Sequence, residues 1–195
     1  DLSRLTTNLL ELARIGSDSF NSVSQEVNLS ELVSRVTEYV TIVAKARDIN
    51  LTVEIEPDMC VWADAHQIEE LLTNLLSNAV RYTSQCPVRR ILVVVRSNAC
   101  EACLVVKDTG IGIAPDKLPS LFDRFYRTER GASKSEGFGL GLAISKRIVD
   151  RHNGSIVIDS ALGSGTQVTV SFPRVELEVS PESAAASLHQ LAPQA

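Results

Sequence analysis

Asn74, Asn78, Arg81 and Tyr82 recur through residues 69–82 at spacings that put them on one side of a helix. At about 100° per residue, Ile68, Leu71, Leu72, Leu75 and Leu76 form an apolar stripe, and the four polar residues line one flank of it. A core margin would not by itself call for two amides, a guanidinium and a phenol, because an unpaired amide there costs about 1–3 kcal/mol. A bound polar ligand would satisfy them; a helix edge wetted by solvent is the alternative. Downstream of the apolar run Leu104-Val105-Val106 comes Asp108-Thr109-Gly110-Ile111-Gly112-Ile113, which sets a carboxylate at a strand end beside two glycines. Such a carboxylate can accept a hydrogen bond from an exocyclic amine such as adenine's, and glycine backbone can approach a flat base closely. An ordinary Asp-x-Gly turn is the alternative. Third, Gly137-Phe138-Gly139-Leu140-Gly141-Leu142 opens a helical pattern over residues 143–150. A helix N-terminus offers unpaired N–H groups to phosphate, although this glycine spacing alone is a weak signal.

The elements that must hold these residues are legible in outline. Asn28 with Glu31 makes a capping box for a helix through about Arg47, whose buried face is Leu29, Leu32, Val33, Val36, Val40 and Val43. Residues 51–55 alternate as a strand, Glu56-Pro57-Asp58 breaks it, and residues 60–62 suit a second short strand. Asp64 caps the asparagine helix with Gln67 as its partner. A hairpin follows over residues 91–97 and 104–106, and Gly154 ends the helix that the last glycines open. Residues 156–158 and 168–172 complete the sheet. The expected fold is a two-layer α/β sandwich, with a mixed sheet in one layer and three helices in the other, preceded by an N-terminal helix.

That leading helix is residues 1–15, where Leu2, Leu5, Leu9, Leu12 and Ile15 make a seam for a partner helix or for docking on the same domain. Residues 16–26, rich in Ser, Asp and Asn, read as a linker, residues 27–173 as the globular domain, and residues 174–195 as a disordered tail.

Composition narrows the classes. The 195 residues are 44% hydrophobic, enough for one good core, and carry a formal charge of −5, which argues against a nucleic-acid partner. No apolar run reaches the roughly 18 residues of a membrane span, so no membrane segment is expected and the chain should be soluble. Cys60, Cys86, Cys100 and Cys103 lack the further ligands a zinc site would need, and Cys100 and Cys103 bracket the hairpin turn; reduced thiols are expected. Neither a P-loop pattern nor the strand and acidic residue of a Rossmann motif is present.

Taken in order, these segments resemble the ATP-binding domain of sensor histidine kinases, within the group that shares its fold with gyrase, Hsp90 and MutL. Four boxes carry the likeness: the helix from Asn74 to Tyr82, the first glycine box from Asp108 to Gly112, Phe122-Asp123-Arg124-Phe125-Tyr126-Arg127, and the second glycine box from Gly137 to Leu142. Gly163-Ser164-Gly165-Thr166 is a weaker fifth, and the likeness covers roughly residues 1–173.

The resemblance implies ATP and Mg²⁺ as cofactors. Asn78 would supply a hard oxygen ligand to the metal, with Asn74 one turn earlier facing the same phosphates. Arg81 stands where many relatives have lysine and would neutralise a phosphate oxygen or remain solvated. Tyr82 would cover the base or ribose, or simply pack, and Asp108 would read adenine. Arg127 is the candidate for the γ-phosphate, and Arg124 is assigned a structural role. Gly110, Gly112, Ile113, Tyr126, Gly137, Gly139, Gly141, Leu142 and Thr166 complete the nucleotide-binding set. Residues 128–136 match an ATP lid, with Ser133 and Lys134 as possible phosphate contacts or a solvated loop.

Transfer to a protein histidine, for relay to a response regulator receiver domain, is the expected activity. Homodimerisation through the leading helices and a cytoplasmic location, as part of a membrane-bound sensor, go with it. Residues 1–14 match the end of the second dimerisation helix. One departure stands out: His66, His152 and His189 all lack a phosphoacceptor context, so the acceptor must be elsewhere. His152 suits a favourable charge at a helix C-terminus. A gyrase-like ATPase would place glutamate where Asn74 stands, since an amide cannot act as a general base. A serine-phosphorylating switch kinase and a nucleotide-sensing adaptor without catalysis also compete with the histidine kinase reading.

Overall fold

The computed structural model describes residues 24–98, 100–127 and 139–175. The N-terminal helix expected over residues 1–15, most of the linker, the whole lid stretch 128–136 and residues 176–195 of the tail lie outside them. The described chain runs β1 (Gln25–Asn28), α1 (Leu29–Lys45), β2 (Asn50–Ile55), β3 (Cys60–Ala63), α2 (Ala65–Thr83), β4 (Arg90–Asn98) and β5 (Glu101–Asp108). A 3₁₀ helix (Pro115–Ser120), α3 (Gly141–Arg151), β6 (Ser155–Ala161) and β7 (Gly165–Pro173) follow.

Five strands form one sheet in the order β2-β4-β5-β7-β6. β2 is parallel to β4 and the remaining pairs are antiparallel, so the sheet is mixed. Strand side chains alternate between faces. The register Val93↔Val106↔Val168 and Val95↔Leu104↔Val170 therefore stacks one apolar face. Leu32 and Val33 of α1, Leu71, Leu72 and Leu75 of α2, and Ile144 and Ile148 of α3 pack with it in a single core. This is the two-layer α/β sandwich expected from the sequence. All five apolar residues of the α2 stripe are at most 2% exposed.

Capping explains where the helices start. The Asn28 side chain accepts the Glu31 N–H at 3.1 Å, as anticipated. Asp64 Oδ1 accepts the N–H groups of His66 and Gln67 at 3.0 and 3.3 Å. Gln67, however, does not return the bond to the Asp64 backbone: its Nε2 donates to Asp64 Oδ2 instead. The Asp64 N–H donates to His152 Nε2 at 3.0 Å. His152 Nδ1 lies 2.7 Å from the Ile148 carbonyl, and the ring meets Phe172 edge-on at 6.3 Å. A ring that accepts at one nitrogen and donates at the other is neutral. His152 is thus a buried strut between α3 and α2, rather than the helix-end charge anticipated.

Several boundaries differ from those expected. β1 starts at Gln25, inside the stretch assigned to the linker, and pairs antiparallel with β3 as a separate two-stranded sheet. At the other end, Val61 bridges Arg174, and the Val175 N–H donates to the Cys60 carbonyl at 3.0 Å. Arg174 and Val175 therefore belong to the folded unit rather than the tail. Cys103 lies inside β5 opposite Arg96, not at the turn, and all four cysteines are free thiols. At the end of α3 the left-handed residue is Asn153 (φ 54°), whereas Gly154 serves close packing: a Cβ there would lie 2.5 Å from the Ser171 carbonyl.

Candidate functional site

Asp108 ends β5 on the helix-covered face and is buried. Its Oδ1 accepts the Gly110 N–H at 2.7 Å, and its carboxylate also accepts the backbone N–H of Thr166, its partner on β7. Burial pushes the Asp108 carboxyl above the usual carboxylate range, with those two N–H groups opposing the shift. Thr109 anchors the turn, accepting the Arg90 N–H at 2.9 Å and donating to the Val88 carbonyl at 2.7 Å. The result is an acceptor held in a desolvated place by backbone alone.

Close approaches at glycines show which segments meet around the Asp108 turn. A Cβ on Gly110 would lie 2.6 Å from Asp108 Oδ1 and 3.1–3.2 Å from Tyr82, so the first glycine box presses on the end of α2. Gly112, at φ +66°, would drive a Cβ to 1.9 Å from the Ala161 carbonyl at the β6 end. Gly165, at φ +90°, sits over the Asp108 carbonyl, where a Cβ would reach 2.0 Å. Only glycine fits these two positions, by both backbone conformation and space.

The second glycine box meets α2 at Asn74, nearer the start of that helix. A Cβ on Gly141, the first residue of α3, would be 3.5 Å from Asn74 Oδ1, and Asn74 Nδ2 is buried without a hydrogen-bond partner among the described residues. No described side chain caps α3, which leaves its leading N–H groups open to a ligand or to solvent. Gly139, at φ +72°, packs against the backbone of Phe125 and Tyr126 and the Arg127 side chain; its carbonyl accepts the Phe125 N–H at 3.0 Å. Phe125 is itself left-handed (φ 64°) and 61% exposed, a strained and solvent-facing aromatic of the kind concentrated at functional sites.

The structure therefore brings Tyr82, Asp108, Gly110, Gly112 and Thr166 into one cluster, and Asn74, Gly139, Gly141, Tyr126 and Arg127 into a neighbouring one, joined by α2. Asn78 and Arg81 are half-buried on α2, between Asn74 and Tyr82. Leu142 is half-buried in the first turn of α3, and the Ile113 N–H donates to Ser160 Oγ at 2.9 Å. Gly137, Ser133 and Lys134 lie outside the described residues. Ser160 itself was not among the expected site residues. The alternation Ile156, Ile158, Ser160 points it inward on β6, and a hydroxyl at an inward strand position was the available signal.

Residues 63–176 match the family described as histidine kinase-, DNA gyrase B- and HSP90-like ATPases. The chain belongs to this family. Its relatives narrow the branch. It is 38% identical to the sensor histidine kinase RppB of Synechocystis over 88% of this chain and 38% of that protein. With the sensor protein SrrB of Staphylococcus aureus it shares 36% identity over 90% of this chain and 30% of that protein. The chain thus spans about a third of the length of these curated relatives.

Among solved structures, the mycobacterial sensor histidine kinase MprB superposes with a TM-score of 0.68 at 31% identity, over 77% of this chain and 98% of that one. Full-length ShkA in complex with AMPPNP superposes with a TM-score of 0.76 at 26% identity, over 89% of this chain and 36% of that one. The chain therefore carries the mixed-sheet sandwich seen in sensor histidine kinase catalytic domains.

Proposed function

We propose that this chain binds Mg²⁺–ATP and transfers the γ-phosphate to a histidine on a dimerisation domain, for relay to an aspartate of a response regulator. The observation that carries the reading is Asn74: its amide, with Oδ1 toward Gly141 and Nδ2 buried without a partner among the described residues, lies beside the uncapped N-terminus of α3, where a phosphate would engage both. Asp108 accepts from the adenine amine, Gly110 and Gly112 let the base lie on the backbone, Thr166 lines the same end, and Tyr82 covers the base or ribose. Arg81 and Arg127 neutralise phosphate oxygens, Arg127 at the γ-phosphate, where transfer spreads charge over three oxygens. Tyr126, Gly137, Gly139, Gly141 and Leu142 shape the phosphate end.

The donor set suits magnesium. Mg²⁺ takes hard oxygens, keeps several waters and needs few protein groups. Asn78 offers an amide oxygen, and no cluster of three or more acidic, histidine or cysteine side chains suited to a metal stands among the described residues. Bound there, the ion would neutralise phosphate charge.

Water is a poor acceptor in this site, because Asn74 stands where a hydrolytic relative would need a general base. Nor does the chain offer a phosphoacceptor among its described histidines: both nitrogens of His152 are engaged inside the fold, and His66 sits in the first turn of α2. Homodimerisation through the leading helices and a cytoplasmic location belong to the same reading. Among the described residues no helix is long and apolar enough to cross a membrane.

The test is transfer of γ-labelled phosphate from ATP to a supplied histidine-containing dimerisation domain. Acid-labile label on that domain is expected; release of free phosphate without labelling would overturn the assignment.

A further inference from the structure

Ser160 Oγ makes three contacts. It lies 2.8 Å from the Gly165 carbonyl, 2.9 Å from the Ile113 nitrogen and 2.9 Å from Thr166 Oγ1. A serine hydroxyl has one proton. The Gly165 carbonyl can only accept and the Ile113 N–H can only donate, so the Ser160 proton goes to Gly165. The remaining contact is then satisfied in one way: Thr166 donates its hydroxyl proton to Ser160. The Thr166 oxygen is left with lone pairs alone for anything else that approaches it. Thr166 stands opposite Asp108 across β5 and β7, so the two acceptors share the base-binding end of the site.

We propose that Ser160 is a positioning residue that fixes the Thr166 hydroxyl as an obligate hydrogen-bond acceptor and so sets selectivity for a 6-aminopurine over a 6-oxopurine nucleotide. This rests on the ATP reading of the site. Adenine presents an amine that donates; hypoxanthine presents a carbonyl that would face two acceptors and find no donor. With Ser160 removed, Thr166 can turn its proton toward the ligand and accommodate the carbonyl. The same hydroxyl also ties the loop at Ile113 to the β6–β7 hairpin at Gly165, so its loss weakens both nucleotides in addition to shifting the preference.

The experiment measures binding of Mg²⁺–ATP and Mg²⁺–inosine triphosphate to the whole chain in the parent, Ser160→Ala, Thr166→Val, the double variant and Asp108→Asn. The ATP-to-ITP affinity ratio is expected to fall about tenfold in Ser160→Ala and similarly in Thr166→Val, with no further fall in the double variant. A purely structural role for Ser160 would lower both affinities and leave the ratio at the parent value, and that result overturns the proposal. So does an additive fall in the double variant. Thr166→Val retains the Ser160 bonds to Gly165 and Ile113, so it decides the matter even if Ser160→Ala does not fold: an unchanged ratio there is again fatal. Asp108→Asn separates the two levels, because undiminished ATP binding in that variant would remove the nucleotide assignment itself.

Discussion

Asn74 and Gly141 are in register across the α2–α3 interface: a side chain begun on Gly141 would make ordinary van der Waals contact, at 3.5 Å, with the Asn74 amide oxygen. The other half of that amide is buried with no partner among the described residues. A polar group kept in this condition contributes little to folding and much to a ligand that completes it.

Asn74→Ala should therefore separate stability from chemistry. The melting temperature is expected to hold or rise, since an unsatisfied buried amide is removed, while phosphotransfer to a supplied acceptor domain falls by about a hundredfold. Thermal unfolding and a labelling assay on one preparation check both halves; a large loss of stability would show that the amide is structural.

The glycines are not equivalent. Gly112→Ala should cost about 2 kcal/mol or more, because the new Cβ meets the Ala161 carbonyl at 1.9 Å in a left-handed backbone. Gly163→Ala, at φ +78° but with nothing within 4 Å, should cost about 1 kcal/mol from conformation alone. Urea midpoints of the two variants give the comparison.

Asp108 makes a pH prediction with a definite sign. Its folded carboxyl titrates above the usual value because burial disfavours the charge, so the folded state holds its proton to higher pH than the unfolded chain. Its contribution therefore favours folding most at low pH and declines as pH rises from the usual carboxylate value through the raised one. Glu56 acts oppositely: the Ser97 N–H and hydroxyl hold its carboxyl low, giving a contribution present above the usual value and lost as pH falls. The parent and Asp108→Asn share the Glu56 effect, so the difference between their stability curves isolates Asp108 and should slope downward with pH across that window. ATP affinity should move the other way, rising as the carboxylate forms.

His152→Leu tests the strut between α3 and α2. Leucine fills the space beside Phe172 but leaves the Asp64 N–H without its acceptor, and a loss of about 1–3 kcal/mol is expected. Chemical denaturation at neutral pH is the measurement, and an unchanged midpoint would show that solvent replaces the ring nitrogen.

The sequence alone determined the kind of fold and nominated the residues of the candidate site. Helical periodicity selected five of the buried apolar residues of α2 and missed Ala79 and Val80; Asn28 and Asp64 marked helix starts that the structure reproduces, and Asp108 with its glycines marked the candidate ligand loop. These are local signals, written in spacing and residue type. Tertiary structure decided what depends on meetings between distant segments. β1 has only four residues, and its pairing with β3, like that of Arg174 with Val61, has no periodicity of its own to read. His152 looked like a helix-end charge until Asp64, 88 positions away, was found donating to it. Ser160 gained meaning only when Ile113, Gly165 and Thr166 closed around one hydroxyl, because a hydrogen-bond direction is set by all the partners at once and never by one residue's place in the chain.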